Sequence, residues 1–166
     1  MKKLMFMSML SLSLLFASHE VGDKAYAFYL PKLMQKGSVN MSVYKNRVVL
    51  LNLWASWCPG CKHEMPFFDT LGKKFARSKF RLVAVSVDTK KKKGVKFIKK
   101  LTKKLGHKPD MMLLYDKKKV LPKAYKAKGF PLSLLIKNGK IIKRYEGSFD
   151  ESNSDGLIKD IKRALR

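Results

Sequence analysis

Apolar positions along the chain follow two rhythms. Mainly apolar runs cover residues 47–53, 82–87, 111–115 and 132–136, each with the length and the aliphatic content of a buried strand. Between them, apolar residues recur at helical spacing. Residues 58–76 place Cys61, Phe68, Leu71 and Phe75 on one stripe. Pro66, with no N–H for the carbonyl four residues back, predicts a kink in that helix. Residues 94–105 set Val95, Ile98, Leu101, Thr102 and Leu105 against a lysine face, and the lysines at 90–93 read as an exposed loop before it. Residues 120–127 predict a short helix. Residues 155–165 predict a closing amphipathic helix, capped by Ser154 or Asp155, with Leu157, Ile158, Ile161 and Leu165 inward. Asn138-Gly139 between the runs 132–136 and 140–145 predicts a hairpin with a type I′ turn. At the front, residues 26–30 and 39–43 flank Lys36-Gly37, a turn signal, and predict a hairpin or strand pair.

The resulting order is β-α-β-α-β-α-β-β-α behind a strand pair. Strands alternating with helices imply an α/β fold whose central strands are parallel and covered by helices on both faces. The last hairpin adds an antiparallel edge, so the sheet is mixed. No repeat and no Pro/Gly/Ser linker divides the chain, and 166 residues suit one domain.

The first 18 residues stand apart. Lys2 and Lys3 precede an apolar stretch, residues 4–17, broken only by Ser8, Ser11 and Ser13. A charged start followed by a short apolar stretch is the pattern of a secretory signal. It is shorter than the roughly 20 residues of a membrane span. The expected organisation is therefore a signal peptide at 1–18, or an uncleaved N-terminal anchor, and one folded domain at 19–166. Cleavage after Ala17 or Ser18 ranks ahead of Ala25-Tyr26-Ala27, which lies farther from the apolar stretch. No cysteine follows it to carry a lipid. Export implies a periplasmic or otherwise extracytoplasmic location, an oxidising compartment in which a dithiol stays reduced only if electrons are supplied to it.

Charge changes the picture of the surface. There are 37 Lys+Arg against 12 Asp+Glu, a formal net charge of +25, and loss of Lys2 and Lys3 with a signal peptide would lower it to +23. Such an excess favours acidic partners and leaves peripheral membrane contact open. The lysines are scattered over every predicted helix and turn, without the clustered arginines and stacking aromatics of a nucleic-acid site, so no nucleic-acid partner is expected.

Candidate chemistry is concentrated in Trp57-Cys58-Pro59-Gly60-Cys61. The two cysteines are the only ones in the chain, which excludes a disulfide framework and a four-cysteine zinc site. Two thiols separated by two residues at a helix start can close a small disulfide ring. The first lies where unpaired backbone N–H groups and the positive end of the helix dipole converge, which favours thiolate. Cys58 is thus the expected nucleophile and Cys61, one turn in, the resolving thiol. Pro59 suits the first helical turn. His19, His63 and His107 show no convergence, and no metal ligand set is expected.

The run from Leu50 to Cys61, LLNLWASWCPGC, followed by Lys62-His-Glu-Met-Pro66, resembles the TlpA/ResA-like branch of the thioredoxin superfamily. Residues 28–31, 39–42, 82–88, 129–132 and 136–139 extend the resemblance over the chain from about residue 20 to its end. It implies a thioredoxin-like fold with an N-terminal strand pair and an extra helix in the middle of the chain, and a thiol–disulfide oxidoreductase activity. It implies that Pro131 is a cis-proline facing the cysteines, where substrate backbone docks beside Trp57, Pro59 and Phe130. It further implies that Glu64 tunes the thiols. A carboxylate beside a buried thiol disfavours its thiolate and can pass a proton. Asn52 stands where cytoplasmic thioredoxins carry a buried aspartate. Trp54 and Trp57 are expected to wall the site, although Trp54 also fits the core. Phe130 departs from the family's smaller residues beside the cis-proline.

The same residues serve three functions. The leading expectation is a reductase of specific exported proteins, such as apocytochrome c or proteins with metal-site thiols. It would be monomeric, be recharged by a membrane electron donor and need no cofactor beyond the redox-active disulfide. A dithiol oxidase that installs disulfides and a thioredoxin-fold copper carrier remain alternatives.

Overall fold

The computed structural model describes residues 19–76 and 78–166. The expected signal peptide lies outside the described residues. A two-stranded antiparallel pair, β1 (Tyr29–Pro31) and β2 (Ser38–Asn40), precedes a five-stranded sheet. That sheet contains β3 (Val48–Trp54), β4 (Phe80–Ser86), β5 (Met112–Tyr115), β6 (Leu132–Lys137) and β7 (Lys140–Glu146) in the spatial order β5-β4-β3-β6-β7. Its β3, β4 and β5 are mutually parallel, whereas β6 and β7 run antiparallel to their neighbours. The helices are α1 (Pro59–Lys74), α2 (Lys91–Leu105), α3 (Val120–Ala124) and α4 (Asp155–Leu165). This is the expected mixed α/β sheet in the expected order.

The central strand β3 is buried along its whole length and divides the core. Val48, Leu50 and Trp54 pack with Met65, Phe68 and Leu71 of α1, Ile98 of α2 and Ile161 of α4. Val49, Leu51 and Leu53 face the other way and pack with Leu30, Val39, Tyr44 and, after β5, Leu121 and Tyr125. The three longer helices thus share one face, and the N-terminal pair with short α3 covers the other. Asn138 and Gly139 both have positive φ, 51° and 73°, as a two-residue I′ turn requires.

Several boundaries differ from the expectations. The second strand ends at Asn40, whose side chain accepts the Ser42 N–H and starts a 3-10 turn over Met41–Tyr44. The short helix α3 stops at Ala124, because Tyr125 turns its ring into the core. The closing helix has Ser154 at its N-cap, but the side chain makes no capping hydrogen bond there. Helix α1 runs through Pro66 and stops at Lys74, two residues short of the expected end. The lysines 91–93 are not a loop; they form the first turn of α2. Cations oppose the dipole at a helix start. The buried Asp88 lies beside that turn: a Cβ on Gly94 would stand 3.1 Å from Asp88 Oδ2. This carboxylate supplies the negative charge that the turn's own residues lack.

Candidate active site

The site forms where β3 hands over to α1. The loop between them is held from below by Asp88. Its carboxylate accepts the Ser56 N–H at 3.1 and 3.2 Å, the Ser56 hydroxyl at 2.8 Å and the Ser86 hydroxyl at 2.9 Å. The Val87 N–H donates to the Trp54 carbonyl at 2.9 Å and closes the loop's near end.

Cys58 is the N-cap residue of α1 and is disulfide-bonded to Cys61. Its sulfur accepts the Cys61 N–H at 3.1 Å. The same N–H can stabilise a thiolate once the pair is reduced, and it acts with the dipole at the start of the helix. Cys58 is 4% exposed and Cys61 0%, so attack from outside can reach only the first sulfur. Pro59 is exposed at the first helical position.

The Phe130–Pro131 peptide bond is cis. The Phe130 carbonyl oxygen lies 3.4 Å from Cys58 Sγ. The Pro131 carbonyl accepts the Gly147 N–H at 3.2 Å, and Gly60 packs against Pro131 and Ser148. Trp57 is 58% exposed and meets the Phe130 ring edge-on, centroids 6.1 Å apart. Trp57, Pro59 and Phe130 therefore form an apolar collar around the one accessible sulfur.

Glu64 lies three residues after Cys61 on α1, on the same side of the helix. It is fully buried. Oε1 accepts a hydrogen bond from Asn52 Nδ2 at 2.9 Å, and Oε2 accepts the Phe149 N–H at 3.4 Å. Asn52 also donates to the Ser133 hydroxyl at 3.1 Å, its register partner on β6. Burial raises the Glu64 pKa to about 8 against the lowering effect of these two bonds. A group that gains and loses a proton near neutrality, one helical turn from a buried thiol, can take the proton of that thiol.

The structure thus gathers Cys58, Cys61, Glu64, Trp57, Pro59, Phe130 and Pro131 at one end of the sheet. Trp54 is not a wall of the site; it is fully buried against Phe97 of α2. The three histidines each bond a different partner. His63 lies 3.1 Å from Asp150, His107 bonds Asp69 at 2.9 Å, and His19 Nδ1 donates to the Lys24 carbonyl at 2.7 Å. Among the described residues, no three His, Cys, Asp or Glu side chains converge as metal ligands. Sequence reasoning missed Asp88, Ser56, Ser148 and the Phe149 N–H. Asp88 carried one signal, an acid directly after a buried strand; the others act through backbone or packing and carried none.

Residues 20–158 match the family model described as Redoxin. The chain is 30% identical over 149 residues to the thiol-disulfide oxidoreductase ResA of Oceanobacillus iheyensis, covering 86% of this chain and 73% of that protein. Among solved structures it resembles a thiol:disulfide interchange protein DsbE from Chlorobium tepidum, with TM-score 0.79 and 33% identity over 90% of this chain and all of that one. A thioredoxin from Neisseria meningitidis superposes with TM-score 0.67 and 29% identity, covering 87% of this chain and 91% of its own.

Proposed function

The chain belongs to the Redoxin family, and from that premise we propose that it is a reductase of exported protein disulfides. It is a thiol–disulfide oxidoreductase of the TlpA/ResA-like branch, with Cys58 and Cys61 as its redox pair. The observation that carries the direction is the buried carboxyl of Glu64. A strong oxidant has a reduced form stabilised as thiolate. Once ionised, a carboxylate enclosed one turn from Cys61 works against a thiolate there and so withholds from the reduced form the thiolate stabilisation that makes a strong oxidant.

In the forward reaction the Cys58 thiolate attacks one sulfur of the client disulfide and expels the first client thiolate, which takes up a proton. Cys61 gives its proton to the Glu64 carboxylate and attacks Cys58 Sγ. The mixed disulfide breaks, and the second client thiolate leaves. Two electrons pass to the client, and Cys58–Cys61 becomes the disulfide. A membrane dithiol donor returns the electrons. The client's extended backbone lies along Pro131, held by Trp57, Pro59 and Phe130.

The signal-like residues 1–18 support an extracytoplasmic location, and among the described residues no helix is long and apolar enough to cross a membrane. Clients with an oxidised C-x-x-C, such as apocytochrome c or metal-site proteins, suit this site. The protein acts as a monomer, without a metal or added cofactor.

The reduction potential tests the direction. Equilibration against thiol–disulfide buffers should give a value nearer the about −270 mV of thioredoxin than the about −120 mV of strong periplasmic oxidants. A value at the oxidising end would overturn the reductase reading. Cys61→Ser should trap the client as a mixed disulfide in cells, and Cys58→Ser should trap nothing; the reverse pattern would exchange their roles.

A further inference from the structure

A groove of about 460 Å³ runs between α1 and α2. Its rim carries five lysines: Lys62 from α1, and Lys93, Lys96, Lys100 and Lys104 from α2. The four on α2 recur at three- and four-residue steps, so they line one face of the helix. The floor is apolar, made by Pro66, Phe97 and Leu101. One end opens at Ser56, two residues before the nucleophilic cysteine.

The charge of this wall is unusual for a helix. Eight of the 15 residues of α2 are lysine and none is acidic. Among the described residues, none of those lysines pairs with a carboxylate. Each cation costs helix stability through repulsion of its neighbours at i+3 and i+4. Folding therefore does not explain the stripe.

We propose that this groove binds an acidic segment of the client protein, holding it while its disulfide reaches Cys58. The inference rests on the reductase reading and adds a recognition element to it. The occupant is a polypeptide stretch with several aspartates or glutamates around one or two apolar side chains. The carboxylates match the lysine rim, and the apolar residues match Phe97 and Leu101. A concave site with an apolar floor fits a chain better than a planar bilayer surface. The stripe from Lys93 to Lys104 is about 16 Å long, enough for three turns of helix or about five extended residues. Asp88 joins the groove to the chemistry, since it fixes the Ser56 loop and lies against the first turn of α2.

The test uses two synthetic peptides with the same intramolecular disulfide, one flanked by an acidic Asp/Glu/Leu stretch and the other by a Ser/Gln stretch. Their reduction by the purified protein, prereduced to the Cys58/Cys61 dithiol and freed of its reductant, is followed in single turnovers together with that of hydroxyethyl disulfide, a small neutral substrate. The wild type should reduce the acidic peptide with a second-order rate constant about tenfold above that for the neutral one, a gain within the range of electrostatic steering. K96E/K100E should abolish that preference and leave hydroxyethyl disulfide turnover unchanged. K117E/K118E, which reverses two exposed lysines in the β5–α3 turn, should keep it. No preference in the wild type, a preference surviving K96E/K100E, or equal loss in both variants would overturn the groove. So would binding to phosphatidylglycerol vesicles that K96E/K100E abolishes while peptide preference persists, which would assign the stripe to a membrane. If the wild type reduces none of the three disulfides, the reductase reading fails instead.

Discussion

At the residue scale, Glu64 holds the most informative charge. Its pKa is raised to about 8 by burial, so the folded protein keeps a proton that the unfolded chain releases near pH 4.5. Between those values the native state binds more protons, and stability falls as pH rises until the carboxyl ionises in both states. Urea unfolding should therefore show wild-type stability declining from pH 5 to pH 8. Glu64→Gln keeps the Asn52 hydrogen bond on its carbonyl oxygen and cannot titrate, so its profile over that range should be flatter. A parallel decline in the variant would mean that Glu64 does not carry the proton. The same substitution has a kinetic signature. Resolution of a Cys58 mixed disulfide by Cys61 should rise with pH through about 8 in the wild type. Glu64→Gln should be slower, with that inflection lost. A structural role alone would lower stability without moving the inflection.

At the scale of elements, the site depends on how α1 and α2 are tied to the sheet. Asp88 is buried and bonds the Ser56 loop on one side and Ser86 on the other. Asp88→Ala would strand several buried donors and should cost about 3 kcal/mol, with slower disulfide exchange because the loop before Cys58 loosens. Asp88→Asn keeps one acceptor oxygen and should recover part of both. At the other end of α1, Gly72 meets the backbone carbonyl of Asp110 so closely that a Cβ has no room. The Asp110 N–H is tied to the Asp69 carboxylate at 2.8 Å, so that loop cannot simply withdraw. Gly72→Ala should destabilise by about 1–3 kcal/mol, measured by urea unfolding, while leaving the potential of the cysteines unchanged. These tertiary ties also explain what sequence periodicity could and could not read. The strands β3 and β6, the I′ turn and α4 were legible because each has a local pattern. The start of α2 was not, because its compensating charge, Asp88, precedes the helix and reaches it through space. The cysteines were legible through their spacing at a helix start, and Glu64 through the resemblance to the TlpA/ResA-like branch. Ser148 and the Phe149 N–H were not, because residues more than 80 positions away meet α1 only in the folded chain.

At the scale of the whole molecule, the formal charge understates the surface. Four of the 12 acidic residues, Glu64, Asp69, Asp88 and Asp116, are buried. Their work is internal: holding a proton, clamping a loop, fixing the Cys58 approach, and accepting the Leu121 N–H at 2.8 Å. Eight acids remain at the surface, so the solvent-facing charge is predominantly lysine and arginine, and an approaching acidic protein meets an attractive field from most directions. Long-range attraction of this kind is screened by salt, with a Debye length of about 8 Å at physiological ionic strength. The second-order rate for an acidic-flanked disulfide should accordingly fall by about tenfold between low salt and 0.5 M salt. Hydroxyethyl disulfide should show no such fall. A salt-independent rate for the acidic substrate would mean that capture relies on the apolar collar of Trp57, Pro59 and Phe130 alone. Reversing charge on α2 separates local from global attraction: if the groove orients the client, K96E/K100E should remove more of the salt-sensitive rate than K117E/K118E, although both pairs change the net charge equally.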